Sequence, residues 1–242
     1  MRTEPNQTSE EKPQVMEQKP EKKKKRRKWP WILLAVIIIL PLLFIGWTGL
    51  YNVPVLSNIF GSNKPIDLGV VVSEEALNSG LAKTNFTLKK LPEPPANLLD
   101  IEREYTGEVE IDHEITSNEL TSFVANRRQN VADPIMGDVQ LKFIDGGMEL
   151  SGMLNKYINA PVYIKGNIAK ASSNSVSIDL TNAKVGRFPV PGNYLQQFED
   201  WAVGFINERL GQVDGFSIDK LEFKDGALDF VGTYPKTVNV VK

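Results

Sequence analysis

The side chains that most often carry out catalysis or bind metals are few in this sequence and widely separated. The chain has one histidine, His113, and no cysteine. His113 lies in a polar, acidic stretch, which is typical of a solvated strand residue, and no spaced set of further ligands accompanies it. The lack of cysteine excludes a thiol nucleophile, thiolate metal ligands and disulfides. We find no Gly-x-Ser-x-Gly turn, P-loop or Gly-x-Gly-x-x-Gly sequence, so we predict a non-enzymatic protein without a cofactor or metal.

Paired carboxylates are the remaining candidates for chemistry. Two acids placed on either side of a scissile bond can act as general acid and base. The sets in this sequence fall on predicted solvent-facing surfaces, where runs of charge usually serve solvation. A carboxylate-based hydrolase therefore stays as a third hypothesis. The sets are Glu74-Glu75, Glu108 with Glu110 and Asp112, and Glu199-Asp200.

Charge is distributed unevenly along the chain, although the formal net charge is only -2. Residues 1–28 contain ten Lys/Arg and five Glu with few large apolar side chains, which predicts a disordered basic tail. The part of the chain after residue 63 contains 18 basic and 25 acidic residues. An acidic domain argues against nucleic acid as a partner, because phosphate binding needs clustered Lys and Arg.

The apolar stretch from Trp31 to Tyr51 carries no charged residue and is long enough to cross a bilayer. Aromatic residues at both ends match the interfacial belts of membrane helices, and the basic run 22–28 precedes it. The positive-inside rule then keeps residues 1–28 in the cytoplasm. We predict a single-pass protein of the plasma membrane, with a transmembrane helix at 29–51 and the C-terminal domain outside the cytoplasm. A cleaved signal peptide, using Val55 and Ser57 near the cleavage site, is the alternative.

Residues 52–65 contain two prolines and several turn formers, which predicts a juxtamembrane linker. Its apolar side chains either form a simple tether or rest on the outer membrane surface. The extracytoplasmic domain then covers 66–242. Because an exported domain without disulfides must be held by its own core, the sequence favours a bacterial protein.

The domain alternates between helix and strand signals and is predicted to be α+β. An N-cap at Ser73 and a capping box at Thr116 and Glu119 indicate helices that begin at about residues 74 and 117. Alternating apolar residues predict strands at 103–115, 161–170 and 175–186 and two hairpins, and residues 89–100 read as a loop. The strongest amphipathic helix covers 193–210.

The two predicted hairpins repeat one pattern at a distance of 80 residues. Leu141–Gly152 (LKFIDGGMELSG) matches Leu221–Gly232 (LEFKDGALDFVG), and both turn at Asp-Gly. Each follows an amphipathic helix, so the unit is a helix and a hairpin used twice. The two apolar faces need each other or a ligand to cover them. A shared, filled core and a lipid-accessible groove both satisfy this requirement.

The helix 193–210 has the widest apolar stripe, and we predict that it packs on both hairpins and forms the apolar groove with them. The groove residues contributed by the hairpins and by the helix are Phe143, Leu150, Phe198, Trp201, Phe205, Phe223 and Phe230.

The pattern of helices and Asp-Gly hairpins behind an N-terminal anchor resembles the YpmS-like family of bacterial membrane-anchored proteins. More distantly it is similar to tubular lipid-binding (TULIP-like) and LmeA-like domains. The segments that carry the resemblance lie within residues 116–232, about half the chain, and are Thr116–Glu119, Leu141–Gly152, Pro161–Lys165, Val185–Pro191 and Leu221–Gly232. The resemblance implies a curved antiparallel β-sheet packed on amphipathic helices, with an apolar groove for an acyl chain. It supplies no catalytic or ligand-binding residues.

These observations favour two classes of function. The first is a membrane-anchored protein that binds lipid or another amphiphile in its groove for envelope maintenance. The second is a scaffold that binds an envelope protein or the cell wall.

Overall fold

The computed structural model describes residues 29–51, 54–84, 103–129, 131, 134–156 and 158–240. The helices are α1 (Trp29–Thr48), α2 (Pro54–Phe60), α3 (Glu74–Thr84), α4 (Ser117–Arg128) and α5 (Gly192–Gly211). The strands are β1 (Arg103–Thr106), β2 (Val109–Thr116), β3 (Met136–Ile144), β4 (Gly147–Leu154), β5 (Ala160–Lys170), β6 (Val176–Val185), β7 (Phe188–Pro189), β8 (Ser217–Lys224), β9 (Ala227–Tyr234) and β10 (Thr237–Val240).

The chain divides into two units, 1–39 and 40–242. The predicted tail, 1–28, and the predicted loop, 89–100, lie outside the described residues. Within the described part of the chain, no helix meets the length and apolarity that crossing a membrane requires. The predicted linker, 52–65, contains the short helix α2.

The second unit is α+β, and all its strand pairs are antiparallel. One sheet has the strand order β3-β4-β5-β6-β7, a second has the order β2-β9-β8, and β1 pairs with β10. Both predicted hairpins are confirmed, as β3-β4 and β8-β9. The predicted strand 103–115 is instead two strands that join different partners. The chain bends between them at Gly107, whose φ of +70° suits glycine.

The capping box at the start of α4 is confirmed. The Thr116 hydroxyl accepts a hydrogen bond from the Glu119 N–H (3.2 Å), and the Glu119 carboxylate accepts one from the Thr116 N–H (2.8 Å). Two of the N–H groups that a helix start leaves without partners are thereby satisfied. The helix consequently begins where the sequence pattern predicts.

The two repeated Asp-Gly turns lie against each other in a reciprocal contact. The Gly146 N–H donates to the Phe223 carbonyl (3.2 Å), and the Gly226 N–H donates to the Phe143 carbonyl (3.0 Å). The Phe143 and Phe223 rings are in contact, with centroids 5.8 Å apart. Phe143 is 2% exposed. At their tips the hairpins therefore share one core, as the first alternative for the repeat requires.

Two helices satisfy backbone groups at the sides of the five-stranded sheet, α4 along the edge strand β3 and α5 along the part of β6 that β7 does not cover. On α4, the Thr121 hydroxyl accepts from the Leu141 N–H (2.9 Å) and donates to the Leu141 carbonyl (3.0 Å) of β3. On α5, the Asn207 amide makes the same pair of bonds to the N–H and carbonyl of Val176 in β6, both at 2.9 Å. Unpaired backbone groups at a strand edge promote aggregation, and these contacts satisfy two pairs of them.

Candidate functional site

The predicted groove residues of the hairpins belong to two different sheets. Phe143 and Phe223 belong to the core at the hairpin tips. Leu150, in β4, lies opposite Leu141 of β3 and is half-buried. Phe230, in β9, stacks on Phe216 with ring centroids 6.2 Å apart.

The predicted packing of the helix 193–210 on the hairpins is wrong. Its main contact is with β6, where Asn207 bonds to Val176 and the Glu199 carboxylate accepts from the Leu180 N–H (2.6 Å). At 3.6 residues per turn, the aromatic residues of α5 lie on roughly the opposite side of the helix from these two side chains. The unpaired backbone groups of β6 bind the polar side of α5. The aromatic side of α5 therefore faces outward.

The outward side of α5 carries a row of aromatic residues, which we call the aromatic row: Tyr194, Phe198, Trp201 and Phe205. Trp201 lies 5.5 Å from Phe198 and 5.3 Å from Phe205, measured between ring centroids. Trp201 is 58% exposed and Tyr194 is 59% exposed. The Arg209 guanidinium lies 5.3 Å from the centroid of Phe205 and continues the row. An exposed row of this kind is characteristic of a contact surface.

An apolar cavity of about 320 Å³ lies elsewhere, between α3, α4 and the strands β2 and β9. It is lined by Leu77, Gly80, Leu81, Thr84, Ile111, Ile115, Glu119, Leu120, Phe123, Phe216, Leu228, Phe230 and Tyr234. Of the seven predicted groove residues, only Phe230 lines it. The size and lining fall within the range of small-molecule sites, which are concave and mostly apolar with few polar groups.

Local sequence explains how the wall is built. Leu77 and Leu81 are four residues apart on α3 and share one face of the helix. Ile111 and Ile115 are an even number of residues apart on β2 and share one face of the strand, as do Phe230 and Tyr234 on β9. The sequence alone is enough to predict that the two residues of each pair share a face. The sequence does not indicate that these faces meet without filling the space between them.

Glu119 is the acidic residue of the cavity wall and holds α3 against α4. Its carboxylate accepts from the Ser79 hydroxyl (2.5 Å), the Thr116 N–H (2.8 Å) and the Lys83 ammonium (2.7 Å). Burial acts to raise the pKa of Glu119, but these hydrogen bonds and the charge of Lys83 together lower the pKa. The carboxylate therefore stays ionised and engaged in this structural contact.

The other polar groups of the wall are neutral. The Thr84 hydroxyl donates to the Gly80 carbonyl of its own helix (2.9 Å). Burial raises the pKa of Tyr234, so its phenol remains protonated at neutral pH. The cavity thus offers apolar contact area together with a protonated phenol.

The residues that the sequence analysis considered as catalytic or metal-binding candidates do not come together in one site. His113 is exposed on β2, and the neighbouring residues Glu110 and Asp112 are exposed as well. In the described ranges, no group of three or more His, Asp and Glu side chains is placed to hold a metal ion.

The chain was compared with protein-family models, with curated proteins and with solved structures, and none of them matches.

Proposed function

We propose that this protein is anchored in the plasma membrane and binds the apolar part of a lipid, such as an acyl chain, in the cavity between α3, α4, β2 and β9. The observation that carries the proposal is the cavity itself, whose wall is formed almost wholly by aliphatic and aromatic side chains. An apolar chain that enters such a space gains roughly 25 cal/mol for each Å² of surface removed from water.

The anchor in this proposal comes from the sequence. The charge-free stretch Trp31–Tyr51, the basic run before it and the aromatic residues at its ends support a single span with the domain outside the cytoplasm. A ligand site on such a domain would lie close to its source of lipid. The resemblance to the YpmS-like family agrees with this proposal and is itself a hypothesis.

A second candidate function is binding to an envelope protein or to the cell wall, and the aromatic row of α5 favours it. Tyr and Trp are enriched in protein interfaces because they offer large contact areas together with a polar group. This candidate needs no ligand in the cavity. No catalytic role belongs to either proposal.

A photoreactive fatty acid tests the lipid proposal directly. The full chain, reconstituted in phospholipid nanodiscs, is irradiated with a diazirine-labelled fatty acid, and the labelled peptides are identified by mass spectrometry. We expect labelling in α3 and in β9, at residues such as Leu81 and Phe230 that line the cavity. Unlabelled fatty acid in excess should suppress it.

A cavity-filling substitution provides the matched control. Leu81→Trp should abolish labelling in α3 and β9, because the larger side chain occupies the space that the ligand would use. Leu195→Trp, also at a half-buried leucine of a helix but outside the cavity, should leave labelling unchanged. Equal labelling of both variants, or no labelling of the wild type in these elements, would contradict the proposal and leave the interaction function as the stronger candidate.

A further inference from the structure

The short helix α2 presents two aliphatic side chains to the outside. Val55 is 70% exposed and Ile59 is 71% exposed. They are four residues apart and share one face of the helix. An exposed aliphatic pair beside a predicted membrane helix suggests an apolar partner for this face.

The chain around α2 folds back onto the last turns of α1. The Ser62 hydroxyl donates a hydrogen bond to the Gly46 carbonyl (2.5 Å), and both residues are buried. Leu56, on the inner face of α2, lies directly on Gly46. A Cβ on Gly46 would meet the Leu56 Cβ at 2.5 Å, so the close approach requires glycine at this position.

The turn between β6 and β7 fastens to the same part of α1. The Arg187 N–H donates to the Thr48 carbonyl (2.9 Å), and the Arg187 side chain donates to the Phe60 carbonyl. The Arg187 guanidinium lies 5.5 Å from the centroid of Trp47, and the Phe188 ring lies edge-on to Trp47 at 6.5 Å. The domain therefore joins α1 through a packed junction, and the described residues 54–62 do not form a simple tether.

These contacts fix the level of α2 along α1. Gly46 is two residues before Thr48, the last residue of α1, and therefore lies about 3 Å inside the end of the helix at 1.5 Å per residue. The polar interfacial layer on each side of the hydrocarbon core is about 5–8 Å thick. With α1 across the membrane, a helix that packs on Gly46 lies near the end of the span, beside Trp47, at the level of this interfacial layer.

We propose that α2 is an interfacial helix whose exposed face, Val55 and Ile59, is covered by the lipid of the membrane that holds α1. Phe188 (36% exposed) and the outer face of Trp47 (41% exposed) extend the same surface. Arg187 suits this level because its stem can lie along apolar surface while its guanidinium reaches polar groups. The inference rests on the membrane anchor of the proposed function and adds a second membrane contact that sets the orientation of the domain.

The absence of cysteine allows a direct test in the full chain. Val55→Cys, Ile59→Cys and the control Val71→Cys are each labelled with the environment-sensitive dye NBD and reconstituted in phosphatidylcholine–phosphatidylglycerol vesicles. Val71 is also an exposed valine (63%), but it lies beside α4, where its N–H donates to Asn118.

We expect blue-shifted emission at positions 55 and 59, quenching by spin-labelled lipid, and a several-fold lower sensitivity to aqueous iodide than at position 71. Iodide sensitivity equal at all three positions, in protein that stays in the membrane pellet after alkaline carbonate, would overturn the interfacial helix and leave the anchor intact. Shielding from iodide without lipid quenching would also overturn it and indicate contact with a second copy. Extraction of the protein by carbonate would overturn both the anchor and this inference.

Discussion

The Glu119 carboxylate joins α3, α4 and the end of β2, and its replacement gives the sharpest test of how the cavity is held. The side chain is 5% exposed, and it accepts hydrogen bonds from Ser79, Lys83 and the Thr116 N–H. Glu119→Gln keeps the shape and removes the charge. We expect α3 to lose its attachment to α4 before the rest of the domain is affected, because the bonds from Ser79 and Lys83 are two of its main polar contacts there.

The magnitude follows from these contacts. A hydrogen bond to a charged group contributes about 1.5–3 kcal/mol when buried. Lys83 is 31% exposed and can turn to water, so the loss of its ion pair contributes less than that of a buried pair. We expect about 2 kcal/mol for Glu119→Gln and about 3 kcal/mol for Glu119→Ala, which also loses the hydrogen bond from the Thr116 N–H.

Hydrogen exchange measured by mass spectrometry, on the full chain in nanodiscs, is the assay. A loss of about 2 kcal/mol corresponds to roughly 30-fold faster exchange of the α3 amides. The matched control is Glu208→Gln, an exposed glutamate of α5, which should leave exchange in α3 unchanged. Equal exchange in Glu119→Gln and the wild type would refute the reasoning that this carboxylate holds α3 in place.

The pH dependence has a defined sign. The pKa of Glu119 is lower in the folded chain than its ordinary value of 4.5, so ionisation stabilises the fold. This stability is fully present above the ordinary value and is lost as the pH falls through the folded pKa. Protection of α3 should therefore decrease below about pH 4.5 in the wild type. In Glu119→Gln, the protection of the α3 amides should depend less on pH.

Three further predictions use the other contacts of the fold. Asn207→Ala should destabilise the domain by about 2–3 kcal/mol and speed exchange in β6, since the N–H and carbonyl of Val176 lose their partner. Gly146→Ala and Gly226→Ala should each cost about 1 kcal/mol in thermal unfolding and match each other. Both glycines have positive φ (75° and 83°) with open space where a Cβ would stand. Trp201→Ala should cost about 1 kcal/mol or less, because its ring is 58% exposed.

Each of these predictions has a contrary outcome. Unchanged exchange in β6 after Asn207→Ala, with the exposed Asn193→Ala as the control, would mean that α5 is not held by this amide. A large difference between the two glycine variants would show that the repeated turns are not equivalent. A loss of 3–5 kcal/mol for Trp201→Ala, the range for a close-packed aromatic residue, would place the ring in a core.

Local patterns in the sequence were sufficient to predict most of the elements. The Thr116–Glu119 capping box predicts the start of α4 because its atoms lie within one turn of the chain. The two Asp-Gly turns predict both hairpins because alternation and turn chemistry are also local. The 80-residue repeat further suggested that the hairpins share a core, and the contact between Phe143 and Phe223 agrees with that alternative.

The direction in which each helix faces depends on the tertiary structure. The most apolar stripe of α5 predicts burial of Trp201, yet the unpaired edge of β6 binds Glu199 and Asn207 and turns that stripe outward. Backbone groups at a strand edge become available only once the sheet has formed, so no periodicity within residues 193–210 contains this information.

The sequence by itself determined most of the element types, the turns, the repeat and the acidic character of the domain, since all of these follow from residues close together in the chain or from composition. The tertiary structure decided where those elements meet. The cavity exists because the apolar faces of α3, α4, β2 and β9, from four separate segments, approach each other without filling the space between them. The packing of α2 on Gly46 likewise depends on contacts across a turn of the chain, which hydropathy alone does not reveal.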